Sequence, residues 1–249
     1  MSPMRHVTLD ATGTLFRLKR PISSVYVDYF RAVMPAMASP IPDQAISIKA
    51  FGKAFKTRMV ESPNFGHDGN HSTASRWWGR VITDTFPPDM RVHLQRHPKH
   101  AEELMSALYS YYAGGDAWEV FPEVHAVLDA LNTAGVTVGV ISNFDERLHT
   151  VLRDLELDSH IKFVLTSWEF GAMKPQASIF HEAAKRLQCD PTAMLHIGDD
   201  RTNDYTGAKA AGSPALLLCR DAESAPDGVP SNDVIPTLAQ VVERLQVNN

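Results

Sequence analysis

The chain has 249 residues, of which 44% are hydrophobic and 21% are charged, and its formal net charge at pH 7 is −5. A chain of this length and composition can bury a sizeable core without disulfides, and its acidic balance argues against nucleic acid as the natural partner. No stretch approaches the ~18 consecutive apolar residues of a membrane span, and residues 1–6 lack the segments of a secretory leader, so we expect a cytoplasmic protein.

The first predicted strand ends in a carboxylate. The segment from His6 to Asp10 reads as a short strand, and residues 11–14 follow it at once. Gly13 allows the tight turn that this loop needs. Because α/β proteins hold ligands at the carboxyl ends of their strands, we expect a functional site here.

The next hundred residues are predicted to be helical. Their apolar residues recur at helical spacing, and the segment 62–70 between the second and third stretches has the composition of a loop. No strand is predicted in this part of the chain, so its helices are expected to form a small bundle with a core of its own. The four helical stretches are 25–37, 43–60, 77–82 and 90–112.

After Gly114 and Gly115, predicted helices and strands alternate. This alternation indicates parallel βαβ units with right-handed crossovers. Gly212 is expected to stop one of the helices. The predicted strands are 136–142, 163–166, 194–198 and 215–218, and the predicted helices are 123–134, 146–155, 177–187, 203–211 and 234–245.

These elements predict an α/β protein with an inserted all-helical domain. The first strand is expected to join the later strands in one parallel sheet, although a helical segment separates them in the chain. The predicted core comprises residues 1–16 and 116–249. The helical insertion comprises residues 17–115 and is joined to the core by two linker strands.

Polar residues stand at or just beyond the ends of four predicted strands. Each one alone has an ordinary explanation as a helix cap or turn residue. Together they would meet at one rim of the sheet, where crowded carboxylates require a cation and oxygen ligands suit Mg²⁺. A neighbouring lysine suits an anion, so the set fits phosphoryl transfer. The residues are Asp10, Ser142, Asn143, Lys174, Asp199, Asp200 and Asp204.

The same residues lie in four motifs that resemble those of the haloacid dehalogenase superfamily. Residues 10–15, Asp-Ala-Thr-Gly-Thr-Leu, resemble its first motif, Asp-x-Asp-Gly-Thr-Leu. Residues 141–143 resemble the second motif, 167–175 the third with Lys174 as its lysine, and 198–204 the fourth. The insertion after the first motif resembles the helical cap of this superfamily. The resemblance therefore implies a Rossmann-like parallel-sheet core with an inserted all-helical cap domain.

The resemblance implies a Mg²⁺-dependent phosphatase that acts on a small phosphorylated molecule. Asp10 would attack the phosphorus and form an aspartyl-phosphate. An aspartate side chain, which ordinarily titrates at ~3.9, is ionised at neutral pH and can act in this way. Mg²⁺ would be held by Asp10, the backbone carbonyl of Thr12, and Asp199. The resemblance leaves the substrate and the oligomeric state open.

The other motif residues would support this reaction. Ser142 would bind the phosphoryl oxygens, and Lys174 would neutralise charge around the nucleophile. Asp204 would support Lys174 or a metal-bound water. Thr12, Gly13 and Asn143 are expected to bind substrate.

Thr12 departs from the family pattern, because phosphatases of this family usually carry a second aspartate at that position for general acid-base catalysis. A hydroxyl cannot exchange protons near pH 7 as a carboxyl can, and such catalysis is typically worth ~10²–10⁴-fold. We therefore expect slow turnover. The alternative is a binding or regulatory protein with little or no turnover. A haloacid dehalogenase is the least favoured hypothesis, since Thr12 and the retained Asp199 both argue against it.

Several further residues have two interpretations. Trp77 and Trp78 are interpreted as core residues rather than as a substrate wall, and His67 and His71 as solvent-exposed. Arg147 either reaches phosphate or occupies a surface helix position. Two motifs in the helical segment support a narrower match within the superfamily, and the two cysteines imply neither a disulfide nor a redox role. These motifs are Phe65-Gly66-His67 and Arg76-Trp77-Trp78, and the cysteines are Cys189 and Cys219.

Overall fold

The computed structural model describes residues 5–34, 46–67, 74–220 and 226–246. The chain divides into two compact units. The core unit comprises Met1–Arg17 and Glu119–Asn249, and the helical unit comprises Leu18–Trp118. Within the described residues, no helix is both long and apolar enough to cross a membrane.

A six-stranded parallel sheet forms the centre of the core unit. Its inner strands are short apolar runs buried almost throughout, as expected for a parallel sheet covered on both faces. The strands are β1 (His6–Leu9), β4 (Thr137–Ser142), β5 (Phe163–Thr166), β6 (Met194–Gly198), β7 (Ala215–Leu218) and β8 (Val234–Ile235). Their order across the sheet is β5-β4-β1-β6-β7-β8.

Helices follow the strands of the core unit. In the helix 177–187, the buried residues Ile179, Phe180, Ala183, Ala184 and Leu187 form one face, because they recur at helical spacing. The helices are α7 (Val124–Thr133), α8 (Leu148–Asp154), α9 (Ser167–Phe170), α10 (Ala177–Leu187), α11 (Gly207–Ala210) and α12 (Ala239–Gln246), with a π-helical segment at Arg201–Thr206.

The predicted Rossmann-like parallel sheet is confirmed, with one correction at its edge. Residues 234–245 were predicted to be one helix, but Val234–Ile235 pairs with β7 and the helix begins at Ala239. Pro236 lies between the two elements. Because proline disfavours helical backbone in the preceding residue and lacks an N–H, it favours an extended Ile235 and separates strand from helix.

β1 lies between β4 and β6, and this position decides where a site can form. From β1 the chain builds the sheet in one direction through β4 and β5, and then returns to the other side of β1 as β6. Such a reversal of strand order leaves a crevice at the carboxyl ends of the strands, where open α/β sheets bind ligands.

The helical unit has its own hydrophobic core. Tyr26, Phe30 and Phe86 are buried at its centre, with Tyr26 and Phe30 each in ring contact with Phe86. Two short strands pair where the chain passes between the units. The helices are α1 (Ile22–Val33), α2 (Ile48–Glu61), α4 (Ala74–Thr85), α5 (Pro88–Arg96) and α6 (Pro98–Tyr111), with the short turn α3 (Pro63–Gly66); the strands are β2 (Phe16–Leu18) and β3 (Trp118–Val120).

The fourth predicted helical stretch, 90–112, is divided into two helices. α5 ends at Arg96 and α6 begins at Pro98. Proline lacks the N–H of a continuing helix but fits the first position of a new one, which explains the break.

The aromatic residues of the helical unit agree with the core interpretation. Trp77 is 4% exposed and donates a hydrogen bond from Nε1 to the Ser62 carbonyl at 2.8 Å. Its ring meets those of Phe55 and Phe65 edge to face. Trp78 is half-buried beside them. His67 is exposed as expected, whereas His71 and Met37 lie outside the described residues.

Candidate active site

The carboxyl ends of three adjacent strands bring the predicted residues together. Asp10 follows β1, Ser142 ends β4, and Asp199 follows β6. β1 pairs with both of its neighbours in parallel register, so the three loops emerge at the same edge of the sheet. One carboxylate oxygen each of Asp10, Asp199 and Asp204 lie within 4.8 Å of one another.

Lys174 is the buried cation of this cluster. Its Nζ donates hydrogen bonds to Asp10 Oδ1 and Asp204 Oδ1, both at 2.6 Å, and to the Ile141 carbonyl at 2.8 Å. Its side chain is 2% exposed. All three ammonium hydrogens thus have acceptors, as a buried charge requires.

Asn143 fixes the backbone of the same lysine. Its Nδ2 donates to the Lys174 carbonyl at 2.9 Å, and its Oδ1 accepts the Lys174 N–H at 2.8 Å. The amide therefore supports the position of Lys174, and a contact of Asn143 with substrate stays a prediction.

Asp204 accepts hydrogen bonds from three directions. Oδ1 accepts from Lys174 Nζ and from His196 Nε2 at 3.2 Å, and Oδ2 accepts the Asp200 N–H at 3.0 Å. Although burial alone raises the pKa of Asp204, Lys174 and the His196 hydrogen bond outweigh it and hold that pKa well below its usual range. Asp204 is therefore ionised.

The other two carboxyls are shifted in the opposite direction. Burial and the neighbouring carboxylates raise the pKa of Asp10 to about 6, against the opposing effect of Lys174. The pKa of Asp199 also rises to about 6, because partial withdrawal from water and the negative charge of Asp204 disfavour ionisation. The burial of Lys174 lowers its pKa, but Asp10 and Asp204 outweigh this and raise it overall.

The residues present fit a divalent cation. When all are ionised, three carboxylates and one ammonium leave two net negative charges in the cluster. Burial is the main cause of the raised pKa values of Asp10 and Asp199, and the neighbouring carboxylates add to it. Mg²⁺ sites in proteins typically have one or two carboxylate ligands and few other protein ligands. Asp10 and Asp199 are the carboxylates that could hold it, because both Asp204 oxygens already accept hydrogen bonds.

Two glycines allow the carboxylates to approach the backbone closely. A Cβ at Gly13 would lie 2.2 Å from Asp199 Oδ2, and Gly13 has φ of +86°. A Cβ at Gly198 would lie 2.1 Å from Asp204 Cγ. Only glycine fits at either position without displacing a carboxylate.

Arg220 holds the loop that follows Asp10. Its guanidinium donates to the Thr14 carbonyl at 2.9 Å and to the Gly13 carbonyl at 3.4 Å, and it pairs with Glu123. It also stacks on Phe121, 3.6 Å from the ring centroid. This arginine ties the loop after Asp10 to the segment that begins the second part of the core unit.

The remaining predicted residues are placed as follows. Ser142 is 2% exposed at the end of β4, and Thr12 is exposed in the turn after Asp10. Cys189 and Cys219 are free thiols. The surface position considered for Arg147 is wrong, since it is 7% exposed and pairs through Nε and Nη2 with both oxygens of Asp145, at 2.8 and 2.7 Å.

Sequence reasoning missed His196, Thr8 and Arg220. Arg220 comes two residues after β7, so the strand-end argument applied to Asp10 also reaches it. His196 and Thr8 are polar residues inside apolar strands, which is a weak signal because buried threonine and histidine are often structural.

Comparison with known proteins agrees with these motifs. The family of haloacid dehalogenase-like hydrolases matches this chain over residues 4–212. The chain is 32% identical to haloacid dehalogenase-like hydrolase domain-containing protein 3 of Bos taurus, covering 97% of this chain and 94% of the relative. It is 31% identical to the Danio rerio protein of the same name, covering 99% and 98%.

The fold also matches solved structures. A 2-haloacid dehalogenase from Pseudomonas syringae superposes with a TM-score of 0.68 at 23% identity, over 99% of this chain and 100% of that one. A phosphatase of the haloacid dehalogenase superfamily from Thermococcus onnurineus superposes with a TM-score of 0.62 at 18% identity, over 97% and 98%. The family match over residues 4–212 and the relatives that are 31–32% identical show that the chain belongs to the haloacid dehalogenase-like hydrolase family.

Proposed function

We propose that this hydrolase is a Mg²⁺-dependent phosphatase of a small phosphorylated molecule, with Asp10 as its nucleophile. The observation that carries the proposal is the buried Lys174 ammonium shared between Asp10 and Asp204, beside a third carboxylate and an excess of two negative charges. This arrangement suits a cation and the anionic group that such a cation attracts.

In the proposed reaction, the Asp10 carboxylate attacks phosphorus and the bond from phosphorus to the leaving oxygen breaks. Water then attacks the aspartyl-phosphate, which releases inorganic phosphate and restores Asp10. Lys174 keeps Asp10 ionised and offsets charge next to it. Asp10 and Asp199, with the Thr12 carbonyl, would hold Mg²⁺, which supplies charge neutralisation at the phosphoryl oxygens.

With Thr12 in place of an aspartate, the two proton transfers of this reaction are expected to be slow. The leaving oxygen must gain a proton and the attacking water must lose one, and a threonine hydroxyl does neither efficiently at neutral pH. Slow turnover is therefore part of the proposal. The lack of a carboxyl at Thr12 also favours a second candidate, a protein that binds Mg²⁺ and a phosphorylated ligand with little turnover.

The test measures phosphate release from an aryl phosphate and from a panel of phosphorylated metabolites, with Mg²⁺ and with excess EDTA. We expect Mg²⁺-dependent release that Asp10→Asn abolishes. Asp158→Asn is the matched control, since Asp158 is an exposed aspartate outside the cluster.

Three other results would contradict the proposal in different ways. Full activity in EDTA would exclude a metal-dependent reaction. Chloride release from 2-chloropropionate without metal would indicate a dehalogenase. Mg²⁺ binding without phosphate release from any substrate would favour the binding protein.

A further inference from the structure

The imidazole of His196 lies wholly buried in contact with Asp204. His196 is 0% exposed within β6. Its Nδ1 lies 2.9 Å from Thr8 Oγ1 on β1, and its Nε2 lies 3.2 Å from Asp204 Oδ1. The Phe180 ring packs against it edge to face, with centroids 5.1 Å apart. None of these contacts belongs to the reaction proposed above.

The partners determine which nitrogen carries the proton. An ionised carboxylate only accepts hydrogen bonds, so the nitrogen that faces Asp204, Nε2, must donate. Burial lowers the pKa of His196 despite the opposing effect of Asp204, so the ring is neutral and its other nitrogen, Nδ1, is an acceptor. The Thr8 hydroxyl can fill this role because it can donate, whereas a valine of the same shape could not.

A neutral donor at this position has a specific electrostatic effect. It orients Asp204 Oδ1, the same oxygen that accepts from Lys174, without adding positive charge to the cluster. Lys174 therefore remains the cluster's only cation among the described residues, and its charge is shared between Asp10 and Asp204. An imidazolium in the same place would compete with Lys174 for Asp204.

We propose that His196 is a positioning residue, held by Thr8 as the neutral Nε2–H tautomer, that fixes Asp204 and through it fixes Lys174 against Asp10. The proton on Nε2 follows from the contact with Asp204, and the neutral state follows from the complete burial of the ring. The expected effect on rate rests on the proposed phosphatase function.

The first experiment reads the tautomer directly and needs no activity. In ¹⁵N-labelled protein, two-bond ¹H–¹⁵N correlations distinguish a protonated from an unprotonated ring nitrogen, and the His196 signals are assigned by their loss in His196→Gln. We expect Nε2 protonated and Nδ1 unprotonated at neutral pH. Thr8→Ser should preserve this pattern, and Thr8→Val should perturb the Nδ1 resonance. An Nδ1–H tautomer or an imidazolium would overturn the proposal.

The second experiment separates positioning from simple packing. His196→Gln can place an amide N–H where Nε2 donates, whereas His196→Leu fills space without a donor. With Mg²⁺ and an aryl phosphate, we expect His196→Leu to lower kcat by ~10- to 100-fold with little change in KM, as for a lost hydrogen bond to a charged group. His196→Gln should recover most of the loss. His181→Leu, which removes a hydrogen bond to the Ala211 carbonyl away from the cluster, should leave kcat unchanged.

The outcomes keep the two proposals distinct. Equal losses of kcat in the Gln and Leu variants, or a change confined to KM, would reject positioning by His196 while the phosphatase function stands. Absence of any Mg²⁺-dependent hydrolysis in the wild type would reject the phosphatase function, and the tautomer measurement would still decide the state of His196. If His196→Leu fails to fold, the Thr8 variants and the tautomer decide the question.

Discussion

The two units of this protein differ in the kinds of side chain that they bury. All six buried aspartate, lysine, arginine and histidine side chains among the described residues belong to the core unit, whereas the helical unit buries Tyr26 and the polar side chains of Asn64 and Thr85. The helical unit is instead held together by aromatic and aliphatic contacts. The six residues are Asp10, Asp145, Arg147, Lys174, His196 and Asp204.

This difference separates chemistry from packing. Buried charged or titratable groups are costly unless they are paired or hydrogen-bonded, so a unit that retains these six within hydrogen-bonded networks has a use for them. A buried aromatic core needs no such explanation, because its apolar area alone accounts for its presence. We therefore expect substitutions within the buried cluster around Lys174 to change catalysis, and substitutions in the core of the helical unit to change stability alone.

The largest expected effect comes from Lys174→Met. This substitution removes the ammonium that Asp10 and Asp204 share. We therefore expect kcat on an aryl phosphate to fall by ~10²- to 10³-fold. The free energy of unfolding should also fall by ~3 kcal/mol, because a buried charge network loses one partner. Steady-state kinetics and urea titration measure the two effects. Lys185→Met is the control, since Lys185 is 82% exposed, and equal behaviour of the two variants would contradict the assignment.

In the helical unit, Phe30→Ala is expected to lower stability without changing the candidate site. Phe30 is fully buried against Phe86, so we expect the free energy of unfolding of the helical unit to fall by ~3–5 kcal/mol. Mg²⁺ affinity, measured by calorimetry while the protein remains folded, should stay unchanged. Val60→Ala removes an 84% exposed side chain and should affect neither property. A weaker Mg²⁺ affinity in Phe30→Ala would contradict the assignment of metal binding to the core unit alone.

Thr12→Asp should raise turnover by at least ~10-fold. An activated aryl phosphate needs little protonation of its leaving group, so it isolates the water attack on the aspartyl-phosphate, where the added carboxyl can act as base. Rapid-quench measurements should show phosphorylated Asp10 accumulating in the wild type. Thr12→Asn is the isosteric control without a base. A fast wild type with no gain from Thr12→Asp would show that another group transfers the proton.

Arg220→Lys should have a smaller effect on the same reaction. Lysine keeps the charge but cannot donate to the Thr14 and Gly13 carbonyls while pairing with Glu123. We expect kcat to fall by roughly 5-fold, as for one or two weakened hydrogen bonds. Arg153→Lys, at a 64% exposed arginine, should have no effect. A wild-type rate in Arg220→Lys would show that the loop holds its shape without the guanidinium.

The smallest effect is expected for the exposed pair His149–Glu169 in the core unit. The hydrogen bond to Glu169 raises the pKa of His149 above its ordinary 6.5, and the same bond lowers the pKa of Glu169 below its ordinary 4.5. The contribution of His149 to the free energy of unfolding is fully present below about pH 6.5 and is lost as the pH rises through the pKa of His149 in the folded protein. The contribution of Glu169 to the free energy of unfolding is fully present above about pH 4.5 and is lost as the pH falls through the pKa of Glu169 in the folded protein.

The pair should therefore stabilise the fold most between about pH 4.5 and 6.5, by less than ~1 kcal/mol because both groups are half-exposed. Urea titrations of the wild type and Glu169→Gln at about pH 5.5 and about pH 8 measure this contribution. Equal differences in stability at both pH values would contradict it.

Most secondary structure of the core unit could be predicted from hydrophobic pattern alone. The predicted strands 163–166, 194–198 and 215–218 and the helix 177–187 match the observed β5, β6, β7 and α10. These segments are strongly apolar or periodic, and turn residues bound them. Prediction failed at prolines within a patterned stretch, as at Pro98 and Pro236, where the local backbone restriction overrides the pattern.

The sequence by itself determined the family, the parallel α/β core and the set of polar residues at the strand ends, because these depend on local pattern and on motifs of adjacent residues. Only the tertiary structure decided which of those residues meet. Lys174 reaches Asp10 across 164 positions, and Thr8 reaches His196 across 188. Strand order decides such contacts, since β1 lies between β4 and β6 and brings their loops to its own end. Burial and hydrogen-bond partners then set the charge of these groups and the tautomer of His196, and neither can be read from the residues that are adjacent in the chain.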